Sequence, residues 1–145
     1  MGLTSFTAGA TTCGVDPGEE KVSEDGLLLV RNRVFTDIVE SSESQVAGTN
    51  RVTVSLDLDP EAGTGAVKGT FTLTPKGLEG TWEGELVGSL NGMISATGLG
   101  RGTGDLLGRV IYVSFQQVAE HPTGQPACED SLAFYEMAGL VLQPA

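Results

Sequence analysis

The sequence has few of the residues with which proteins bind nucleic acid or hold metal ions. Eight lysine and arginine residues stand against nineteen aspartate and glutamate residues, which gives a net charge of −11. Because phosphate backbones and anionic membrane surfaces attract positive charge, we expect neither nucleic acid nor a membrane as a partner. Cys13 and Cys128 have no Cys-x-x-Cys neighbour, and the only histidine, His121, precedes a proline in a polar segment where we expect it to be exposed. We therefore predict no metal site and no cofactor.

Long apolar runs and strong helix signals are also missing. No apolar run approaches the roughly 20 residues that a membrane-spanning helix needs. The chain instead has 21 glycines among 145 residues, and only 19% of its residues are charged. Glycine at this level, with short alternating runs between the glycines, is typical of a barrel or sandwich with many tight turns. The length corresponds to a single domain, residues 1–145.

Apolar and polar residues alternate through the stretch 65–104. Phe71 and Leu73 share one parity in the first run, and Trp82 and Leu86 share one parity in the next. Period-two alternation over short runs bounded by turn residues predicts half-buried antiparallel strands. Similar runs recur along the chain. The predicted strands are residues 3–13, 26–41, 50–58, 65–74, 78–88, 92–100, 105–118 and 131–142, and residues 19–25 are predicted to be an exposed acidic connection.

Eight antiparallel strands joined mostly by short hairpins close most economically into a barrel, since closure leaves no unpaired edge. We therefore predict an all-β protein with a closed eight-stranded antiparallel up-and-down β-barrel, and a two-sheet β-sandwich is the alternative. Such a barrel has room inside for side chains or for one small ligand. The glycines at positions 98, 100, 102 and 104 precede another strand rather than a helix, so we interpret them as structural and not as a phosphate-binding loop.

A longer pattern of glycines and turns reads GTFTLTPKGLEGTWEGELVGSLNGMISATGLGRGTGDLLG. It resembles the allene oxide cyclase and dirigent-like barrel group, whose bacterial members show a comparable progression of GTF, GTWEG and GxGxGxGDLxG. The likeness covers about residues 52–114, with weaker agreement in 13–34. The resemblance implies a small eight-stranded barrel that forms dimers or trimers and binds apolar molecules in its lumen. The group includes cyclases and proteins that guide the stereochemistry of coupling reactions.

The predicted ligand site is the lumen of the barrel. Large apolar residues would form its wall, namely Trp82, Phe71, Leu73, Leu86, Phe115 and Val34. Three polar residues share a parity with apolar ones and are the candidate catalytic residues, namely Glu136, Asn32 and Tyr112. Burial would raise the pKa of Glu136, which would then suit it to act as a general acid or base. The alternative is that these are ordinary hydrogen-bonded polar residues at a barrel end or a subunit interface.

These features predict a protein that binds a small apolar molecule in its lumen. It is a candidate cyclase or isomerase that acts by holding its substrate in a folded shape, and a non-catalytic structural or interaction barrel with a packed lumen is the alternative. The runs 26–41 and 105–118 carry large apolar residues on both faces, whereas a barrel wall needs them on one face only. Because exposed apolar patches usually mark interfaces, we predict self-association into a dimer or trimer.

The two cysteines lie near opposite ends of the chain, and barrel closure brings the first and last strands side by side. We therefore predict a disulfide between Cys13 and Cys128, with two buried free thiols as the alternative. A disulfide is typical of a secreted or exported protein, whereas free thiols would suit the cytoplasm.

Overall fold

The chain forms an all-β structure in the computed structural model, which describes residues 2–144. The strands are β1 (Gly2–Asp16), β2 (Glu19–Val22), β3 (Leu28–Glu40), β4 (Gly48–Asp59), β5 (Thr64–Pro75), β6 (Trp82–Asn91), β7 (Met93–Gly102), β8 (Val110–Val118) and β9 (Ala133–Gln143). One turn of 3-10 helix, Gly104–Leu106, lies between β7 and β8. Within residues 2–144, no helix is long and apolar enough to cross a membrane.

Eight of these strands form a closed barrel. β1 pairs with β9 on one side and with β3 on the other, and β3 to β9 follow one another in chain order. All the pairings are antiparallel. The predicted eight-stranded up-and-down barrel is therefore confirmed, and the alternative of two separate packed sheets is wrong.

The short strand β2 is an addition to the barrel that the sequence pattern did not predict. It pairs with the first residues of β3 and is exposed along its whole length. Arg33 of β3 holds it in place, because its Nε–H donates to the carbonyl of Pro17 at 3.1 Å and its guanidinium pairs with Glu20. The predicted exposure of residues 19–25 is therefore confirmed for Glu19–Val22, but these residues form a strand rather than only a connection.

Two barrel strands begin later than the alternation predicts. β6 begins at Trp82 rather than at residue 78, and β8 begins at Val110 rather than at residue 105. The connections before them bond to each other instead. The Asp105 N–H donates to the Glu79 carbonyl at 2.6 Å, and the Glu79 N–H donates to the Asp105 carboxylate at 3.0 Å. These backbone groups are thus satisfied across the barrel end rather than along a strand ladder.

Glycines in β6 and β7 leave room inside the barrel for the ring of Phe71. A Cβ added at Gly84, Gly98 or Gly100 would lie 2.7, 2.8 or 3.0 Å from a ring atom of Phe71. This ring is fully enclosed and packs edge-on against Phe115, with the ring centroids 6.2 Å apart. The glycines at 98 and 100 are therefore structural, as predicted, since any side chain there would displace an aromatic ring from the core.

A β-bulge in β3 exchanges the two faces of that strand. The register between β3 and β4 shifts between Val30 and Arg33, and Asn32 in the bulge has a φ of 55°. A bulge inserts an extra residue, so alternation continues on the opposite parity beyond it. Val30 is buried before the bulge, whereas Asp37 and Val39 are buried after it. This exchange explains in part why residues 26–41 carry apolar side chains on both parities.

The segment between β8 and β9 folds back against β1. Cys13 of β1 and Cys128 of this segment form the predicted disulfide, with their Cα atoms 6.1 Å apart. His121, which is part of this segment, is buried, and its Nδ1 accepts a hydrogen bond from the backbone N–H of Thr123 at 3.1 Å. The predicted surface position of His121 is therefore wrong, because this polar segment packs on the barrel instead of extending into solvent.

Candidate functional site

One half of the barrel lumen is filled by side chains. Trp82 is fully buried there, and its indole N–H donates to the backbone carbonyl of Gln45 at 2.8 Å. Leu73, Val46 and Leu106 are also enclosed at this end, and Val46 and Leu106 come from the connections that precede β4 and β8. This half is therefore a packed core.

The other half of the lumen contains a small cavity of about 40 Å³. Its wall is formed by Phe35, Asp37, Val52, Val54, Val67, Leu86, Ile94, Ala96, Phe115 and Tyr135. Ile94 and Tyr135 are only half-buried, so the cavity opens towards solvent on their side. Since roughly 10–15 Å³ holds one water molecule, the cavity admits a few water-sized groups. It is an apolar space with a carboxyl and a phenol in its wall.

Asp37 is the buried acid of this cavity. It is 5% exposed, and its Oδ1 accepts a hydrogen bond from Thr12 Oγ1 at 2.6 Å. Burial raises the pKa of Asp37 to about 6, and the hydrogen bond from Thr12 offsets part of that effect. The pKa of Tyr135 is raised to about 12, mainly by burial and to a smaller extent by the negative charge of Asp37. The carboxyl therefore titrates near neutral pH while the phenol keeps its proton.

Asn50 adds a second polar group beside Asp37. The two residues are directly opposite each other in the register of β3 and β4. Asn50 is 1% exposed, and its Oδ1 is buried without a hydrogen-bond partner. Burial disfavours the charged form of Asp37, so its surroundings suit the neutral form better than the ionised form.

The predicted wall residues are mostly inside the barrel. Trp82, Phe71, Leu73, Leu86 and Phe115 are all buried, which confirms their inward parity. Leu86 and Phe115 line the cavity, whereas the other three belong to the packed core and do not line it.

The inward orientation predicted for the remaining candidates is wrong. Val34 pairs with Thr53 on the outer face of the wall, since the bulge has exchanged the parity of β3. Asn32 is exposed in the bulge itself. Tyr112 is 48% exposed and Glu136 is exposed, because the inner faces of β8 and β9 carry Ile111, Val113, Phe115, Met137 and Val141. None of the three predicted catalytic residues therefore reaches the lumen.

Asp37 and Tyr135 are the polar cavity residues that the sequence reasoning missed. A signal for Asp37 was present, because it lies between Phe35 and Val39 on one parity, where an outer face would not need two large apolar residues. Tyr135 likewise alternates with Met137. Within residues 2–144, no group of three or more His, Cys, Asp or Glu side chains is arranged to hold a metal ion.

Comparison of this chain with protein-family models, with curated proteins and with solved structures gives no match.

Proposed function

We propose that the protein binds a small apolar molecule in the open half of its lumen and that Asp37 exchanges a proton there. The observation that carries this proposal is an ionisable carboxyl buried in the wall of an apolar cavity that opens to solvent. Apolar pockets with a few convergent polar groups are the usual form of a small-molecule site. Buried groups with shifted pKa values are also concentrated at functional sites.

The chemistry that suits this site is proton transfer to or from a bound molecule. General acids and bases work best when their pKa lies near the working pH, and the pKa of Asp37 is raised to about 6. The apolar wall would hold a flexible molecule in one folded shape, which is the entropic contribution that a cyclisation or an isomerisation needs. The resemblance of residues 52–114 to the allene oxide cyclase and dirigent-like group implies an apolar ligand in the lumen of the barrel.

The second candidate is a non-catalytic barrel with a packed lumen. The filled half around Trp82 and the small size of the cavity, about 40 Å³, favour this alternative. On this view Asp37 would be a buried polar residue whose only role is its hydrogen bond to Thr12.

Methyl NMR with a hydrocarbon probe distinguishes the two candidates. We expect 2-methylpropene, which is small enough for this cavity, to shift the methyl signals of Val67, Leu86 and Ile94 saturably, because these side chains line the cavity. Ala96→Leu should abolish the shifts by filling the space, whereas Ala66→Leu is the matched control on the exposed face of β5. The absence of saturable shifts in the wild type would support the packed barrel instead.

A further inference from the structure

The polar atoms of the cavity wall are few and carry no positive charge. Among the residues that line it, only Asp37 and Tyr135 have a side-chain oxygen or nitrogen, and no lysine, arginine or histidine is present. An anionic group in this space would have no partner of opposite charge and would lie beside a carboxyl. Burying an unpaired charge is costly. The wall therefore disfavours carboxylates and phosphates as ligands.

Two side chains of the wall can donate a hydrogen bond to a bound molecule. Thr12 occupies the Oδ1 of Asp37, and a protonated Asp37 is itself a donor. Tyr135, which is half-buried in the wall, contributes the Oη–H of its phenol.

On the basis of the function proposed above, we propose that the cavity takes uncharged apolar molecules that carry a hydrogen-bond-accepting oxygen of the carbonyl type. That oxygen accepts from Tyr135 Oη–H while Asp37 is protonated. A phenol and a neutral carboxylic acid in an apolar site are a suitable environment for a carbonyl oxygen, since they supply donors without a competing negative charge.

The protonation of Asp37 controls this binding mode. An ionised carboxylate is a stronger acceptor than a neutral carbonyl, so it would compete with the ligand for the proton of Tyr135. The elements around Asp37 present Thr12 from β1, Asn50 from β4 and Tyr135 from β9. Tyr135 is the titratable member of this set, and its pKa is raised to about 12, so the pH dependence between pH 5 and pH 8 belongs to Asp37.

Three small compounds of similar shape test the ligand class by the same methyl NMR titration. Acetone offers an acceptor oxygen, 2-methylpropene replaces that oxygen with a CH₂ group, and acetate carries a charge; their small size suits a cavity of about 40 Å³. With a pKa of about 6, Asp37 is mostly protonated at pH 5 and mostly ionised at pH 8, so the hydrogen bond from Tyr135 is available to the ligand mainly at pH 5. We expect acetone to bind about three- to tenfold more weakly at pH 8, which is the usual worth of one hydrogen bond, 2-methylpropene to bind equally at both values, and acetate not to bind at pH 8.

Two variants separate the donor from the titrating group. Tyr135→Phe should weaken acetone binding about three- to tenfold at pH 5, which is the usual worth of one hydrogen bond, and should leave 2-methylpropene binding unchanged. Tyr112→Phe is the matched control, since this tyrosine is 48% exposed on the outside of the barrel. Asp37→Asn should make acetone binding independent of pH between 5 and 8. The methyl spectrum of each variant shows whether it keeps the wild-type fold.

The outcomes distinguish this inference from the proposal on which it rests. Saturable binding of 2-methylpropene together with pH-independent binding of acetone would overturn the ligand class and leave the apolar site intact. Binding of acetate at pH 8 as tight as that of acetone would overturn it as well. If none of the three probes binds the wild type at either pH, both the ligand class and the binding function are refuted.

Discussion

Replacing Asp37 with asparagine should stabilise the protein, and the gain should grow with pH. The folded-state pKa of Asp37 is raised from 3.8 to about 6 by burial, so the unfolded chain loses this proton at a lower pH than the native barrel does. Stability contributed by the neutral carboxyl is therefore fully present below pH 3.8 and is lost as pH rises through about 6. At about 1.4 kcal/mol per pKa unit, the loss amounts to about 3 kcal/mol.

Asparagine avoids this loss without changing the shape of the side chain. Its Oδ1 can still accept from Thr12, and its amide carries no charge at any pH. The stabilisation by Asp37→Asn should therefore be about 2–3 kcal/mol larger at pH 8 than at pH 4. For a chain of 145 residues, that difference corresponds to roughly 7–10 °C in melting temperature.

Urea unfolding of the wild type and the variant at both pH values measures this difference. Asp25→Asn is the matched control, because it removes the same charge from an exposed turn and should have a small effect at both pH values. Comparing variants cancels the titration of the other carboxylates, which both proteins share. Parallel stability profiles for wild type and Asp37→Asn between pH 4 and pH 8 would refute the reasoning.

Three further predictions concern stability and assembly. Replacing both Cys13 and Cys128 with serine should lower the free energy of unfolding by about 4–5 kcal/mol, because the disulfide closes a loop of 115 residues; two thiols titratable in denaturant in the wild type would contradict this. Trp82→Phe should lower the free energy of unfolding by about 1–3 kcal/mol, because it leaves the carbonyl of Gln45 unpaired. It should leave binding of 2-methylpropene unchanged, which the same methyl NMR titration checks. Self-association stays a prediction, and Leu99, which is 60% exposed on the outer face of β7, should be part of the interface. Leu99→Glu should therefore shift the sedimentation mass at tens of micromolar towards the monomer's 15.0 kDa. A wild type that already sediments as a monomer would contradict this prediction.

The barrel could be predicted because most strands are uninterrupted. In β4 to β8 each residue's face follows from its neighbour two positions away, so one buried residue fixes the parity of the whole strand. Turn chemistry then divides the strands, as at Gly92, whose φ of 73° allows the tight connection between β6 and β7. Local periodicity is sufficient for this part of the fold.

The candidate site depended on features that local periodicity does not contain. The bulge at Asn32 adds one residue to β3, which moved Val34 outwards and brought Asp37 inwards. In β9, Phe134 and Glu136 share the outer face, and the apolar Phe134 made that face look like an inner one. The ring of Phe134 is apolar and yet on the outer face because His121 covers it, with the ring centroids 5.7 Å apart. The position of an apolar residue on an outer face is explained only once the segment that packs over it is known. Alternation within a strand does not predict such long-range packing.

The energetics of Asp37 favour a functional site over a packed structural barrel. A carboxyl that has no cation in the cavity wall costs the folded state about 3 kcal/mol above pH 6, which is a large part of the 5–15 kcal/mol by which domains are stable. Asparagine would keep the hydrogen bond with Thr12 and would bury no charge at any pH. A purely structural role would therefore be better served by the amide. The acid offers one property that the amide cannot supply, a proton that is exchanged near neutral pH, and it offers this inside the part of the lumen that remains open.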